Sequence, residues 1–346
     1  MRPNKKVTIK DVAKAAGVST QTVSRVINNR HDVSSATRAH VQKIIDNLEY
    51  SPNIIARSLS RGRTNTLGVV GYGLEYYGSF SVLTGIEQRA HELGFSLLLS
   101  LLDRIEPDNV DQSINGLLSR QVDGIIWAVH WQVKTFDWLG PKFENLSVPL
   151  VFLNKSQRGN DVVVAMNNRL GGRLATEHLL KQGYRRIGII TGPTEWWEAK
   201  EREAGWREAM EQTGTNDMDR LKVIGDWWAA SGDVGLYTLY ARSPKIDAVF
   251  ACNDQMALGA MQAARRLGLK IPDDLAIVGF DDIPEAAYFY PSLSTIQQDV
   301  KAVGALAVEQ MCKVIQAHQN GERFNSEISW ITPKLIIRQS SIKNNQ

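Results

Sequence analysis

Between residues 8 and 28, apolar positions recur at helical spacing in two short bursts. Val12, Ala13 and Ala16 line one side of the first, and Val23, Val26 and Ile27 line one side of the second. Thr8 stands where an N-cap belongs, with Asp11 three residues on as its capping-box partner, and Ser19 precedes the second burst as its cap. Gly17 lies between the bursts, where the chain must reverse through a left-handed conformation that glycine adopts at little cost, and Val18 plugs the turn. The pattern predicts two helices joined tightly, with Thr20, Gln21, Thr22, Ser24 and Arg25 facing outward. A further stripe (Val41, Ile44, Ile45 and Leu48), opened by Ser34 or Ser35, predicts a third helix that closes a small head near Tyr50. A helix-turn-helix sets its second helix in the major groove of DNA, where Gln and Arg make paired hydrogen bonds to base edges.

A solvated helical hairpin would share this periodicity, but charge separates the two readings. Residues 1–63 carry 12 Lys/Arg and 4 Asp/Glu, a net of +8, whereas the whole chain is +3 (40 minus 37), leaving −5 for the remainder. A basic head on an acidic body is the footprint of a nucleic-acid-binding module. Residues 51–63 continue it. Pro52 stops the third helix, Asn53 can cap a short new one, and Arg57, Arg61 and Arg63 flank the apolar Ile55 and Leu59. A helix so short is marginal alone. Apolar wedges beside arginine suit the DNA minor groove, although a plain linker would also read this way.

From residue 66 the pattern changes to short β-branched runs alternating with amphipathic helical stretches. Strands are predicted at 67–70, 96–101, 124–128, 150–153, 162–165, 186–190, 221–224, 248–251 and 275–279. Helices are predicted at 80–93, 109–120, 169–182, 201–213, 231–241, 254–267 and 300–317. Such alternation implies parallel sheets covered by helices on both faces, here in two similar halves sharing a cleft beyond the strand carboxyl ends. The chain has 43% hydrophobic residues, and no run approaches the roughly 18 apolar residues of a membrane span. Its first ten residues lack the apolar core of a signal peptide, so a cytoplasmic protein without membrane contact is expected. Cys252 and Cys312 are far apart, without metal-ligand spacing, and suit a reduced compartment.

Together these features resemble the LacI/GalR family of bacterial transcriptional regulators. The head motif TIKDVAKAAGVSTQTVSRVIN and the linker PNIIARSL carry the resemblance. So do VDGII at 122–126, HLLKQGYRRIGIITG at 178–192, ACNDQMALGAM at 251–261, IPDDLAIVGFDD at 271–282 and PSLSTIQQD at 291–299. The resemblance implies an α/β protein: a three-helix helix-turn-helix head (1–50), a hinge (51–63) and a periplasmic-binding-protein-like body (64–338) of two doubly wound parallel-sheet subdomains. The first subdomain would hold 64–166 and 299–326, the second 167–298 and 327–338, with a tail from 339 to 346. That tail shows no apolar heptad seam, so a tail-mediated tetramer is not expected.

The resemblance further implies a homodimer on a near-palindromic double-stranded operator. Thr20, Gln21 and Arg25 would read bases, and Ser19, Thr22, Asn28 and Arg38 would touch phosphates. Asn53, Arg57 and Leu59 would act in the hinge, with Leu59 as the minor-groove wedge. Effector contacts would fall on Asn154, Arg202, Trp227, Asn253, Asp281 and Gln298, with Tyr72 and Phe80 added from the aromatic segment 71–80. Asn154 stands where many sugar-responsive members carry Asp, and Asn167-Asn168 where Asp-Asn is usual. Tyr76, Tyr77, Trp196 and Trp197 are further candidates for a wide sugar platform.

Asn, Asp, Gln and Arg satisfy hydroxyls, and an indole packs against a sugar face, so this chemistry suits a saccharide or glycoside effector of a repressor of carbohydrate-utilisation genes. Plainer roles compete: Asp281 as a helix cap, Arg202 as a solvated charge, Trp227 as core. No cofactor, metal site or catalytic residue is expected. A purine or other metabolite as effector is the nearer alternative; a doubly wound enzyme is the remoter one. Gly71-Tyr72-Gly73 lacks the third glycine of a dinucleotide fingerprint, and no histidine stands in an evident nucleophile–base or metal motif.

Overall fold

The computed structural model describes residues 7–28, 30–50, 63–130, 136–144, 146–156, 158–215, 217–322, 324 and 328–343, and these divide into two compact units, one before and one after residue 64. In the first unit, α1 (Ile9–Ala16), α2 (Thr20–Ile27) and α3 (Ser35–Asn47) enclose a core of Val12, Ala13, Ala16, Val23, Val26, Val41 and Ile45. The capping box forms as expected, with the Thr8 amide donating to Asp11 Oδ2 (2.9 Å) and the Asp11 amide to Thr8 Oγ1 (3.4 Å). Gly17 turns at φ 66°, and Ser34, not Ser35, caps α3. The hinge residues Asn53, Arg57 and Leu59 lie outside the described residues.

The second unit contains two six-stranded sheets. The first comprises β1 (Thr66–Tyr72), β2 (Ser96–Leu102), β3 (Gly124–Ala128), β4 (Leu150–Leu153), β5 (Val162–Met166) and β11 (Ser329–Ile331), ordered β11-β5-β4-β3-β1-β2 and wholly parallel. The second comprises β6 (Ile187–Thr191), β7 (Lys222–Ile224), β8 (Ala248–Ala251), β9 (Ala276–Asp281), β10 (Ser294–Gln297) and β12 (Lys334–Ile336), ordered β12-β10-β9-β8-β6-β7. It is parallel except for the antiparallel β10–β12 pair at its edge, which the sequence reading did not foresee. Within each half the first five strands follow the order 2-1-3-4-5, so both have a switch point beside their first strand, where ligands collect in open α/β sheets.

The helices are α4 (Tyr77–Glu92), α5 (Pro107–Leu118), α6 (Phe136–Glu144), α7 (Asn168–Lys181), α8 (Trp197–Glu211), α9 (Ala229–Arg242), α10 (Asp254–Arg266) and α11 (Val300–Gln319). Three pairs cross at reciprocal glycines. A methyl on Gly85 of α4 would strike the Lys301 carbonyl of α11, and one on Gly304 of α11 the Val82 carbonyl of α4; Gly172/Gly205 lock α7 to α8, and Gly232/Gly259 lock α9 to α10, in the same way. This brings backbone against backbone and lets the helices sit flat on their sheets.

The chain passes between the halves three times: from β5 to α7, from β10 to α11, and from β11 to β12. The last passage is at residues 332–333, which corrects the expected boundary at 326/327, because β11 pairs with β5 of the first sheet. The expected tail also begins later. Ser340 Oγ donates to the Ile277 carbonyl (2.6 Å), and His178 Nε2 lies 2.7 Å from Ser341 Oγ, so 339–341 belong to the second half.

Candidate nucleic-acid interface and effector cavity

The two candidate sites are built by different means. In the head, each helix is opened by its own hydroxyl cap, and what faces outward follows from what is buried. Val23 and Val26 are buried, which leaves Thr20, Gln21 and Arg25 exposed along α2. Arg25 Nε lies 3.5 Å from Asp32 Oδ2, an ion pair in solvent that steers the guanidinium without neutralising the head. Ser19 Oγ accepts from the Thr22 amide at 3.0 Å and lies 2.9 Å from Thr22 Oγ1, so both hydroxyls sit at the α2 N-terminus, where backbone amides and helix dipole favour an anion. Asn28 closes α2 and donates to Ser24 Oγ at 3.3 Å. Arg38 is used differently from the expectation of a free phosphate ligand: its guanidinium donates to the Val26 (3.4 Å) and Arg30 carbonyls, clasping α3 to the end of α2.

In the second unit, one cavity of about 850 Å³, its mouth included, is lined from the carboxyl ends of strands in both sheets. All six residues expected from the motifs line it: Asn154 after β4, Arg202 on α8, Trp227 after β7, Asn253 after β8, Asp281 ending β9 and Gln298 after β10. Three of them, Asn154 (φ 47°), Trp227 (φ 78°) and Asp281 (φ 118°), have left-handed backbones, and such strain in non-glycine residues clusters at functional sites. Asn253 supports the arrangement. Its Oδ1 caps α10 through the Met256 amide (2.8 Å), and its Nδ2 donates to the Trp227 carbonyl (2.8 Å).

Arg202 and Asp281 are both buried, which removes the solvated-charge reading of Arg202. Arg202 Nε donates to Asn168 Oδ1 at 2.8 Å, and Nη1 donates to the Cys252 carbonyl and lies 3.8 Å from Asp281 Oδ1. The guanidinium lies over the Phe280 ring (3.8 Å) and beside Trp227 (5.4 Å). Burial pushes the Asp281 carboxyl up to about 6, against the opposing pull of Arg202 and the hydrogen bond from Gln298. Asp281 caps no helix. The short helical turn that follows it (Pro284–Tyr288) has no side-chain cap, and the Ile283 amide (2.9 Å) and the Thr295 hydroxyl (2.6 Å) donate to Asp254 instead. Trp227 is both core and lining, and its Nε1 is buried with no partner among the described residues.

Two expected residues do not join the cavity. Phe80 is 63% exposed on the outer side of α4. Tyr72 packs into the core on the opposite face of β1 from Leu67 and Val69. Tyr76, Tyr77 and Trp196 do line it, whereas Trp197 stacks at 6.4 Å on Trp330.

Sequence reasoning missed His130, Ser79, Glu198 and Trp228. His130 Nε2 lies 2.9 Å from Ser79 Oγ, and Nδ1 lies 3.0 Å from Glu198 Oε1, with the ring stacked on Trp196 at 3.9 Å. Glu198 enters the site because α8 starts four residues earlier than expected. The signal available was the aromatic-acid run TEWWEAK, but its pairing with a histidine 68 positions away is not periodic.

Residues 8–53 match the model of bacterial regulatory proteins of the lacI family, and residues 176–341 match that of the periplasmic binding protein-like domain. The chain is 34% identical over 96% of its length, and 98% of the relative, to the HTH-type transcriptional repressor PurR of Haemophilus influenzae. It is 33% identical (96% and 99%) to the ribose operon repressor of Escherichia coli, and 31% identical (90% and 86%) to the lactose operon repressor of the same organism. The solved lac repressor dimer bound to operator and an anti-inducer superimposes with a TM-score of 0.87 at 29% identity, covering 98% of this chain and all of that one.

Proposed function

The chain belongs to the LacI family of bacterial regulatory proteins and is a transcriptional repressor, and from that premise we propose that a saccharide in its cavity releases it from its operator. The observation that carries the saccharide reading is the convergence of Asn154, Arg202, Asn253, Asp281 and Gln298 on one cavity floored by Trp227. These are donors and acceptors suited to hydroxyls around an aromatic face suited to a sugar ring. A solved relative at 29% identity with a TM-score of 0.68 is a regulator in complex with cellobiose.

On this reading the protein acts as a homodimer in the cytoplasm. Thr20, Gln21 and Arg25 read base edges, and Ser19, Thr22 and Asn28 meet phosphates. Arg38 holds the head together, and Asn53, Arg57 and Leu59 work in the connecting segment at the minor groove. The saccharide must bind the weakly operator-bound form better than the tightly bound one, since a ligand with equal affinity for both shifts nothing.

A thermal-shift screen of the full-length protein against saccharides and purine bases tests the reading, because any ligand preferring the folded state raises the midpoint. A saccharide hit that weakens binding to an operator selected from random duplexes is the expected result. A purine hit with no saccharide response refutes the carbohydrate reading.

A further inference from the structure

The residues carried over from the family leave part of the cavity wall unexplained. Ser79, His130 and Glu198 form a hydrogen-bonded chain across the cleft. Ser79 and His130 come from the first half and Glu198 from the second. Glu198 is 5% exposed and uses only one carboxylate oxygen; the other, Oε2, is buried with no partner among the described residues. A buried acceptor left unmade is costly, and more so when it carries charge. Around this chain stand rings that the polar cluster at Asp281 does not use. Tyr76 meets Trp196 edge-on at 5.3 Å and Trp228 at 5.6 Å, and Trp228 is 44% exposed although it lines the cavity. The two groups of side chains touch where Trp196 approaches Trp227, at 5.7 Å.

Resting on the saccharide reading above, we infer that the cavity is built for two linked sugar rings. The first lies on Trp227 against Arg202, Asp281 and Asn253. The second lies among Tyr76, Trp196 and Trp228, where it donates a hydroxyl to Glu198 Oε2. A single ring would occupy the first position and leave the carboxylate oxygen unpaired and the Trp228 face wet. His130, held by Ser79 and stacked on Trp196, fixes the Glu198 carboxylate from its other oxygen. The preference for two rings therefore depends on a bond between the two halves.

Calorimetric titration of the full-length protein with cellobiose, lactose, maltose, trehalose and xylobiose, each beside its component monosaccharides, tests this. At least one disaccharide should bind ten times or more tighter than its components. Glu198→Gln should cut that ratio on the order of tenfold, the effect of one hydrogen bond to a charged acceptor. Trp228→Ala, at a half-exposed position that threatens the fold little, should lower the ratio as well. Monosaccharides binding as tightly as the best disaccharide, or a ratio unmoved by both substitutions, overturns the two-ring inference while leaving the saccharide reading intact. Binding of hypoxanthine or guanine with no saccharide binding at all overturns both.

Discussion

Replacing Asp281 with Asn should remove a pH dependence of stability whose direction the ion pair alone would not give. The carboxyl sits at about 6 in the folded protein against an ordinary 3.8, because burial outweighs the Arg202 guanidinium 3.8 Å away. Between those two values the folded chain holds more protons than the unfolded chain, so stability falls as pH rises through that window. Above pH 6 the ionised, buried carboxylate costs the fold about 3 kcal/mol. Roughly half of this is already present at pH 5, so on the order of 1 kcal/mol develops between pH 5 and pH 8.

The Asn variant lacks this term. Measured by urea denaturation at both pH values, its stability relative to the wild type should rise by on the order of 1 kcal/mol from pH 5 to pH 8. Relief of the repulsion that Asp281 exerts on the buried Asp254 acts in the same direction. Taking the difference between two pH values removes the contacts that the substitution itself loses, such as the bond from Gln298. A difference that stays flat between pH 5 and pH 8 would refute the reasoning, because a carboxyl that Arg202 held below its usual range would be ionised in the folded and the unfolded chain alike throughout that window.

Effector affinity should weaken below about pH 6 in the wild type, as protonation removes an acceptor at Asp281, and titration calorimetry at pH 5 and pH 7.5 reads this. Arg25→Ala should cost more affinity for the selected operator than for random DNA in fluorescence anisotropy; an equal loss on both would assign Arg25 to phosphates instead. Asn253→Ala should destabilise by about 1–3 kcal/mol, combining the lost α10 cap with the unpaired Trp227 carbonyl, and a thermal midpoint shift reads it. Gly172→Ala should cost about 1–3 kcal/mol by forcing α7 off the Arg202 carbonyl, visible as a lower denaturation midpoint.

The head was readable because its information is local. A cap, a positive-φ glycine and an apolar stripe lie within a few residues of each other, and each forms as the spacing predicts. The body's long strands were readable for a related reason: buried parallel strands such as Val162–Met166 are continuous apolar runs. β10, β11 and β12 were not, since their polar-interrupted sequences, such as Ser329–Ile331, lack the continuous apolar run that marks the equally short Leu150–Leu153 and Ala248–Ala251, and missing β11 misplaced the third passage between the halves. Tyr72 failed on parity. It shares a face of β1 with Val70, and strand side chains alternate. Phe80 failed similarly on a helix, one residue beyond the buried Ser79 and in line with the exposed Glu87. Asn253, Asp281 and Gln298 were found because each ends or follows a strand in a recognisable string, whereas Arg202, on α8, has no such local mark. His130 and Glu198 meet only through tertiary folding.

The triple passage between the halves has a mechanical meaning. One strap would act as a string, free to swing and slide, whereas three straps side by side behave like the leaf of a door hinge: bending about one axis is easy, and shear and separation are resisted. An occupied cavity is then reported outward as essentially one angle. A protease nick in any single strap should leave the two halves travelling together on a sizing column.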